Sequence, residues 1–312
     1  MSLCGGDFLQ RERSMTDLTS LWIPLTLVGS VGQVARNAMQ RGLTGPLGTL
    51  GATHIRFLFG FPFAALFLLT ILLVTGDRIG WPAPGFLPWL LVGSLTQIAG
   101  TALMLAAMNE HSFVVTTAYL KTEPLQTAAF GFVFLADHLT VMKVAGIMIA
   151  TVGVMLTALQ PGVRGFGRLR PILFGLGAAA FMALSSVGYR GAILNVEGVS
   201  FVTAAGFTLT CALLLQSIVL SAYLVARKPG VMTTILGLWK PSLFAGFTGA
   251  FSSFFLFLAF ALTPVANVRT LNLVEVLIAQ GAAHYGMKQR ITAREAAGIV
   301  LILFGVGLLL LG

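Results

Sequence analysis

The chain has 312 residues, 57% hydrophobic and only 9% charged, with a mean hydropathy of +0.92. Soluble domains carry about 25% charged residues, so this chain lacks the polarity to cover a water-facing surface, and lipid is its main solvent. The formal charge of +9 is scattered through short loops and builds no basic face, which argues against a nucleic-acid partner and fits cationic loops holding membrane segments in register.

The first twenty residues are polar and lack the apolar core of a cleavable signal peptide; Met15 offers a second start site. A spanning helix needs about 20 mostly apolar residues, and ten such segments follow. They are Leu21–Gln40, Thr53–Thr75, Phe86–Met108, Phe113–Phe134, Met142–Leu159, Pro171–Leu194, Phe201–Val225, Phe244–Thr263, Val265–Met287 and Ala293–Leu311. Turns such as Gly76-Asp77-Arg78, Asn109-Glu110-His111 and Gln160-Pro161-Gly162 separate them. The short connections predict near-antiparallel neighbours in an all-α integral membrane fold.

The second half repeats the first. At an offset of 152 residues Glu123 meets Glu275, Leu125 meets Leu277, Thr140 meets Thr292, Ala145-Gly146-Ile147 meets Ala297-Gly298-Ile299, and Gly153-Val154 meets Gly305-Val306. Upstream, Val34-Ala35-Arg36-Asn37-Ala38 resembles Gly188-Tyr189-Arg190-Gly191-Ala192 at an offset of 154. The organisation is a polar tail over 1–20, a first five-helix repeat over 21–160 and a second over 171–312. Five is odd, so the halves enter the bilayer from opposite sides. Such inverted repeats suit transporters, because two halves can trade inward-open and outward-open shapes around a central cavity.

Ten Lys and Arg residues fall in the odd-numbered loops and four on the other side. The positive-inside rule then places both termini outside. Five bases remain within helices: Arg36, Arg56, Lys121, Arg190 and Arg269. Glu123 and Glu275 lie near helix centres. Such charges cost about 2.5–3.5 kcal/mol at the bilayer centre and normally face a wet cavity or a partner. Glu123 is the strongest candidate. Thr116, Tyr119, Glu123 and Thr127 share one helical face, with Gln126 at its edge, and Pro124 frees a backbone carbonyl one turn earlier. That set suits a hydrated binding site or proton pathway; the alternative is an ion pair between helices, with Lys121 or an Arg as partner. Lys121 lies on a different face from Glu123 and either pairs elsewhere or lines a second wall.

Arg269, Asn272 and Glu275 follow at steps of three, as a ladder into a cavity or a self-neutralising set. Arg36 and Arg190 sit near helix ends, where long basic chains snorkel to the interface; their matched positions also fit a cavity. His54 and Arg56 read as interfacial. Gln33 and Gln97 are weaker pore candidates. Phe247, Phe251, Phe254 and Phe255 form one broad face, for lipid, for neighbouring helices or for a ring-bearing solute. Gly146 with Gly153, and Gly298 with Gly305, make small-residue faces whose partner is internal or a second copy, which leaves a homodimer open.

Cys4 and Cys211 make no disulfide framework, and the four histidines show no ligand spacing. No metal or cofactor is expected. No phosphate loop, HExxH or nucleophile elbow is present, and the four aspartates are too dispersed for a phosphotransferase site, so an enzyme is not expected.

Lys121-Thr122-Glu123-Pro124-Leu125, Leu135-Ala136-Asp137-His138-Leu139-Thr140, and Gly146 through Gly153 resemble the Glu-Pro of the fourth helix, the Gly-Glu-x-Leu turn and the glycine-spaced fifth helix of EamA-type exporters in the drug/metabolite transporter superfamily. Arg56 resembles the arginine that opens that family's second helix. The turn is Ala136-Asp137 here and Lys288-Gln289 in the second half, where Glu-Pro becomes Glu275-Val276. The resemblance covers about residues 20–312. It implies ten helices around a central cavity, in a bacterial inner membrane, exporting amino acids, related metabolites or drugs without ATP. A passive channel, a lipid-modifying enzyme and a non-transporting scaffold are the rivals.

Overall fold

A computed structural model describes residues 20–108, 119–158, 169–287 and 292–312. The described residues are almost entirely helical and contain no strand. The helices are α1 (Trp22–Leu58), α2 (Gly60–Thr75), α3 (Phe86–Met108), α4 (Glu123–Leu135), α5 (Val141–Ala158), α6 (Leu169–Leu194), α7 (Phe201–Arg227), α8 (Pro229–Gly237), α9 (Trp239–Leu262), α10 (Val265–Leu271), α11 (Val274–Met287) and α12 (Ala293–Leu311).

Among the described residues, six stretches are long and apolar enough by themselves to cross a bilayer: Leu50–Thr75, Phe86–Met104, Ile172–Leu194, Phe201–Arg227, Trp239–Leu262 and Ala293–Leu311. Of the other expected crossings, the fifth is the continuous 18-residue α5 and the rest are not simple rods, so the expectation of ten helices is corrected in four places. The turn expected after Gln40 is helical, and α1 runs on to Leu58 with a kink at Gly48. Gly48 has φ 65°, which glycine adopts without a Cβ penalty. The fourth and ninth predicted helices are both broken, at Lys121-Thr122 and at Asn272-Leu273. Pro124 explains the first break, since it cannot donate to the carbonyl one turn back and is well placed in a first turn. Finally, residues 229–237, expected as loop, form α8, whose Ile235 is buried with Leu47, Ile55, Leu224 and Ala245.

Large apolar side chains such as Leu69, Leu73, Phe132, Val133, Val152, Leu173, Val300 and Phe304 are exposed. In water that belt would be a liability; in lipid it is the outer surface. Inside, α1 lies along α9, α3 along α6, α2 along α7, and α5 along α12. The repeat relates α1 to α6 and α3 to α9, so the first two of these pairs exchange under one two-fold operation.

The glycine faces show the same operation at atomic scale. A Cβ on Gly146 would lie 2.6 Å from the Gly305 carbonyl oxygen, and one on Gly305 would lie 2.6 Å from that of Gly146. Gly153 and Gly298 block each other likewise, at 2.8 and 2.7 Å. The small-residue faces therefore meet inside the chain, and a second copy would have to use another surface. Thr140 and Thr292 start the two helices in matching ways. The Lys143 N–H donates to the Thr140 hydroxyl at 3.2 Å, and Glu295 completes a full capping box with Thr292.

A polar clasp joins the halves at one end. Asp77, in the loop after α2, accepts from the Thr203 hydroxyl at 2.6 Å, the Ser200 hydroxyl at 2.7 Å and the Ser200 N–H at 3.0 Å. Ser200 is the N-cap of α7.

Candidate functional site

The breaks in the fourth and ninth predicted helices position the site. Each leaves a half-helix that starts inside the bundle, with a glutamate in its first turn: Glu123 on α4 and Glu275 on α11. The N-terminus of a helix carries partial positive charge, which favours a carboxylate there. Half-helices ending in a bundle are also where transporters bind polar solutes. Glu123 is thus a helix-start residue, not a mid-helix one, and the stripe of Thr116, Tyr119, Glu123 and Thr127 does not run along one continuous helix. Thr116 lies outside the described residues. Tyr119 precedes the break, and Thr127 is buried with its hydroxyl donating to the Glu123 carbonyl at 2.8 Å.

Between the halves lies a cavity of about 180 Å3. Its charged lining is Arg36, Arg56, Lys121, Glu123, Arg269 and Glu275. Gln33, Asn37, Gln97, Thr101, Tyr189 and Ser253 add neutral polar groups, and Met104, Met182, Leu256, Phe257 and Phe260 supply apolar wall.

The ion pairs cross between repeats. Lys121 of the first donates to Glu275 Oε1 of the second at 2.8 Å. Arg269 of the second lies 3.1 Å from Glu123 Oε1 of the first. The two pairs are chemically unequal. Glu275 is hydrogen-bonded at both oxygens, because its Oε2 also accepts from Gln33 at 2.6 Å. Arg269 turns its Nε–H to the Ser186 hydroxyl at 2.9 Å, and among the described residues Glu123 Oε1 has no aligned hydrogen bond. Charge alone holds Glu123, which leaves that oxygen able to accept a proton or a donor.

Among the twelve candidate positions, Glu123, Glu275, Lys121, Arg269, Arg36, Gln33 and Gln97 come together on this cavity. Arg190 does not. Its guanidinium donates to the carbonyls of Phe260 and Thr263, the latter at 2.6 Å, and sits 3.6 Å from Asp137. It therefore neutralises the C-terminal end of α9. Asn272 is buried away from the lining and accepts from the Ser30 hydroxyl at 2.7 Å. The supposed ladder of Arg269, Asn272 and Glu275 thus splits toward three different partners.

The structure adds residues on the lining, Arg56 and Tyr189, and others behind it, His54 and Gln216. Arg56, read as interfacial, lies within α1 and faces the cavity. His54 is fully buried, with Nε2 3.0 Å from the Ser221 hydroxyl. Tyr189 donates to Gln97 Oε1 at 2.6 Å, and Gln216 donates to both Gln97 Oε1 and the Tyr189 oxygen, at 2.8 and 2.9 Å. A lone glutamine midway along the apolar α7 was the available signal for that network. Phe247 and Phe254 of α9 pack on α2, as Phe63 with Phe247 at 5.2 Å and Phe67 with Phe254 at 5.7 Å show; Phe257 and Phe260 of the same helix line the cavity beside Tyr189. Among the described residues no group of histidine, cysteine or acidic side chains could hold a metal.

Solved structures share this architecture. One, described only as a crystal structure of a protein, aligns over 95% of this chain and 96% of its own with a TM-score of 0.69. At 16% identity that likeness shows the fold alone. No curated protein sequence matches the chain. The model of the EamA-like transporter family matches twice, over residues 20–159 and 169–311. With both matches together spanning nearly all of the helical bundle, the chain belongs to the EamA-like transporter family.

Proposed function

We propose that this chain is a secondary carrier that exports a small metabolite, an amino acid or a related compound, by alternating access. The observation that carries the reading is the crossed pairing at the cavity, Lys121 with Glu275 and Arg269 with Glu123. Each pair ties one repeat to the other across the space a solute would occupy. Rocking one half against the other must change both, so a solute or proton that competes for these charges couples binding to motion. Glu123 is the working group, because its carboxylate is held without an aligned hydrogen bond. Glu275, Lys121 and Gln33 form the tie. The protein sits in a bacterial inner membrane with both termini outside.

The test is counterflow in proteoliposomes. Saturable exchange supports a carrier, and flux that rises linearly with concentration supports a channel. Glu123→Gln should cut exchange at least about tenfold while the purified protein stays monodisperse. Full transport by that variant would sink the assignment of Glu123.

A further inference from the structure

The cavity holds more positive charge than its own acids can balance. Its lining carries four cationic side chains and two carboxylates. Among the described residues, both carboxylates are already engaged, by Lys121 and by Arg269. Among these residues Arg36 and Arg56 form no ion pair with a carboxylate. Glu275 is within electrostatic reach of Arg36 but is held by Lys121 and Gln33.

These two arginines are built into one place. Both stems run past Gly249 on α9, where a Cβ would lie 3.1 Å from Arg56 Cγ and 3.7 Å from Arg36 Cδ. Arg36 is only 8% exposed, and its Nε and Nη2 both donate to Asn37 Oδ1, at 3.2 and 2.9 Å, which splints the guanidinium. Arg56 lies over the Phe57 ring, and its buried Nε has no hydrogen-bond partner among the described residues. An uncompensated buried guanidinium is costly unless something arrives to pair with it. The fork of an arginine matches the two oxygens of a carboxylate or a phosphate.

We propose that Arg36 and Arg56 form an anion subsite, and that the solute is a small net anion bearing a carboxylate or a phosphate group. This rests on the carrier reading above and narrows its substrate. A zwitterionic amino acid brings no net charge and would leave the excess of two unbalanced; a cation would add to it. The cavity is also smaller than the roughly 300 Å3 at the low end of drug-sized pockets, so the anion is a compact metabolite.

The experiment uses the full chain, purified and reconstituted, with four probes: malonate, inorganic phosphate, alanine and choline. Thermal stability is titrated with each, and counterflow is measured with the same four. Malonate or phosphate should raise the unfolding temperature saturably and exchange across the vesicle, and whichever of the two binds tells carboxylate from phosphate recognition. Arg56→Gln and Arg36→Gln should weaken that response by about ten- to a hundredfold. Gly249→Ala, which keeps both charges and crowds Arg56 Cγ, should weaken it as well, and it serves where a charge deletion fails to fold. Arg56→Lys should retain part of the response. Exchange of alanine or choline with no competition from either anion overturns the proposal and leaves the carrier standing. An anion that binds but never exchanges supports the subsite and overturns the carrier. Binding of neither anion to the wild-type protein overturns the proposal.

Discussion

Gly146 and Gly305 each occupy the place where the other leaves no room for a side chain, with 2.6 Å between either added Cβ and the opposite carbonyl oxygen. The obstacle is backbone on both sides, so no rotamer change relieves it. Gly305→Ala should lower stability by about 1–3 kcal/mol, as overpacking does. Gly307, two residues on, has nothing among the described residues within 4 Å of its added Cβ, and Gly307→Ala should hold the melting temperature or raise it slightly, because alanine is the better helix former. Thermal unfolding of the two purified variants checks the contrast.

Reversing one ion pair tests whether the halves are tied by charge. Lys121 and Glu275 are 21% and 13% exposed, between the surface pairs worth about 1 kcal/mol or less and the buried ones whose disruption costs about 3–5 kcal/mol. Lys121→Glu alone should destabilise by more than about 2 kcal/mol, since it sets two carboxylates against each other. Adding Glu275→Lys should restore most of that loss. A double-mutant cycle on melting temperatures reads the coupling directly.

The clasp at Asp77 predicts a pH dependence. The Thr203 hydroxyl, the Ser200 hydroxyl and the Ser200 N–H all donate to its carboxylate and hold the carboxyl below its usual value. A depressed acid contributes stability that is present above its unfolded value, about 3.9, and is lost as the pH falls through the folded one. The wild-type protein should therefore be more stable than Asp77→Asn at pH 6, and the gap should close on acidification below about pH 4. Unfolding temperatures of both proteins across that range give the answer; a gap that widens in acid would contradict the clasp.

Ala136 ends α4 with φ 52°, in the left-handed region that a side chain resists. The strain is of order 1–2 kcal/mol, offset in part by the entropy glycine loses on folding. Ala136→Gly should raise stability by about 0.5–1 kcal/mol with transport unaltered. Chemical denaturation alongside counterflow measures both.

The repeat was legible because its markers are rare in an apolar chain: two glutamates, four glycines at matching spacing and two threonines that cap equivalent helices. The breaks were legible in only one half. Pro124 announces the first, while the second falls at Asn272-Leu273, with valine at position 276 where the first half has its proline. At that break the Asn272 side chain accepts from the Ser30 hydroxyl, a tertiary partner that no local pattern announces. Arg56 reads as interfacial for a related reason: the sequence suggests a helix start just before it, whereas the chain stays helical past Gln40 and bends at Gly48. Arg36 and Arg190 looked alike in sequence and diverged in structure, since what surrounds a residue is set by the helices opposite it.

Two inverted halves that trade shapes pass through two end states of equal free energy only when the halves are chemically identical. Here one glutamate is gripped at both oxygens and its counterpart is held by charge alone. Under the proposed cycle the end states then differ in free energy, and the empty protein has a preferred resting side. Occupancy of the Glu123 side would act as a counterweight that levels the two. A scaffold made by doubling one unit thus acquires a direction from the single place where the copies no longer agree.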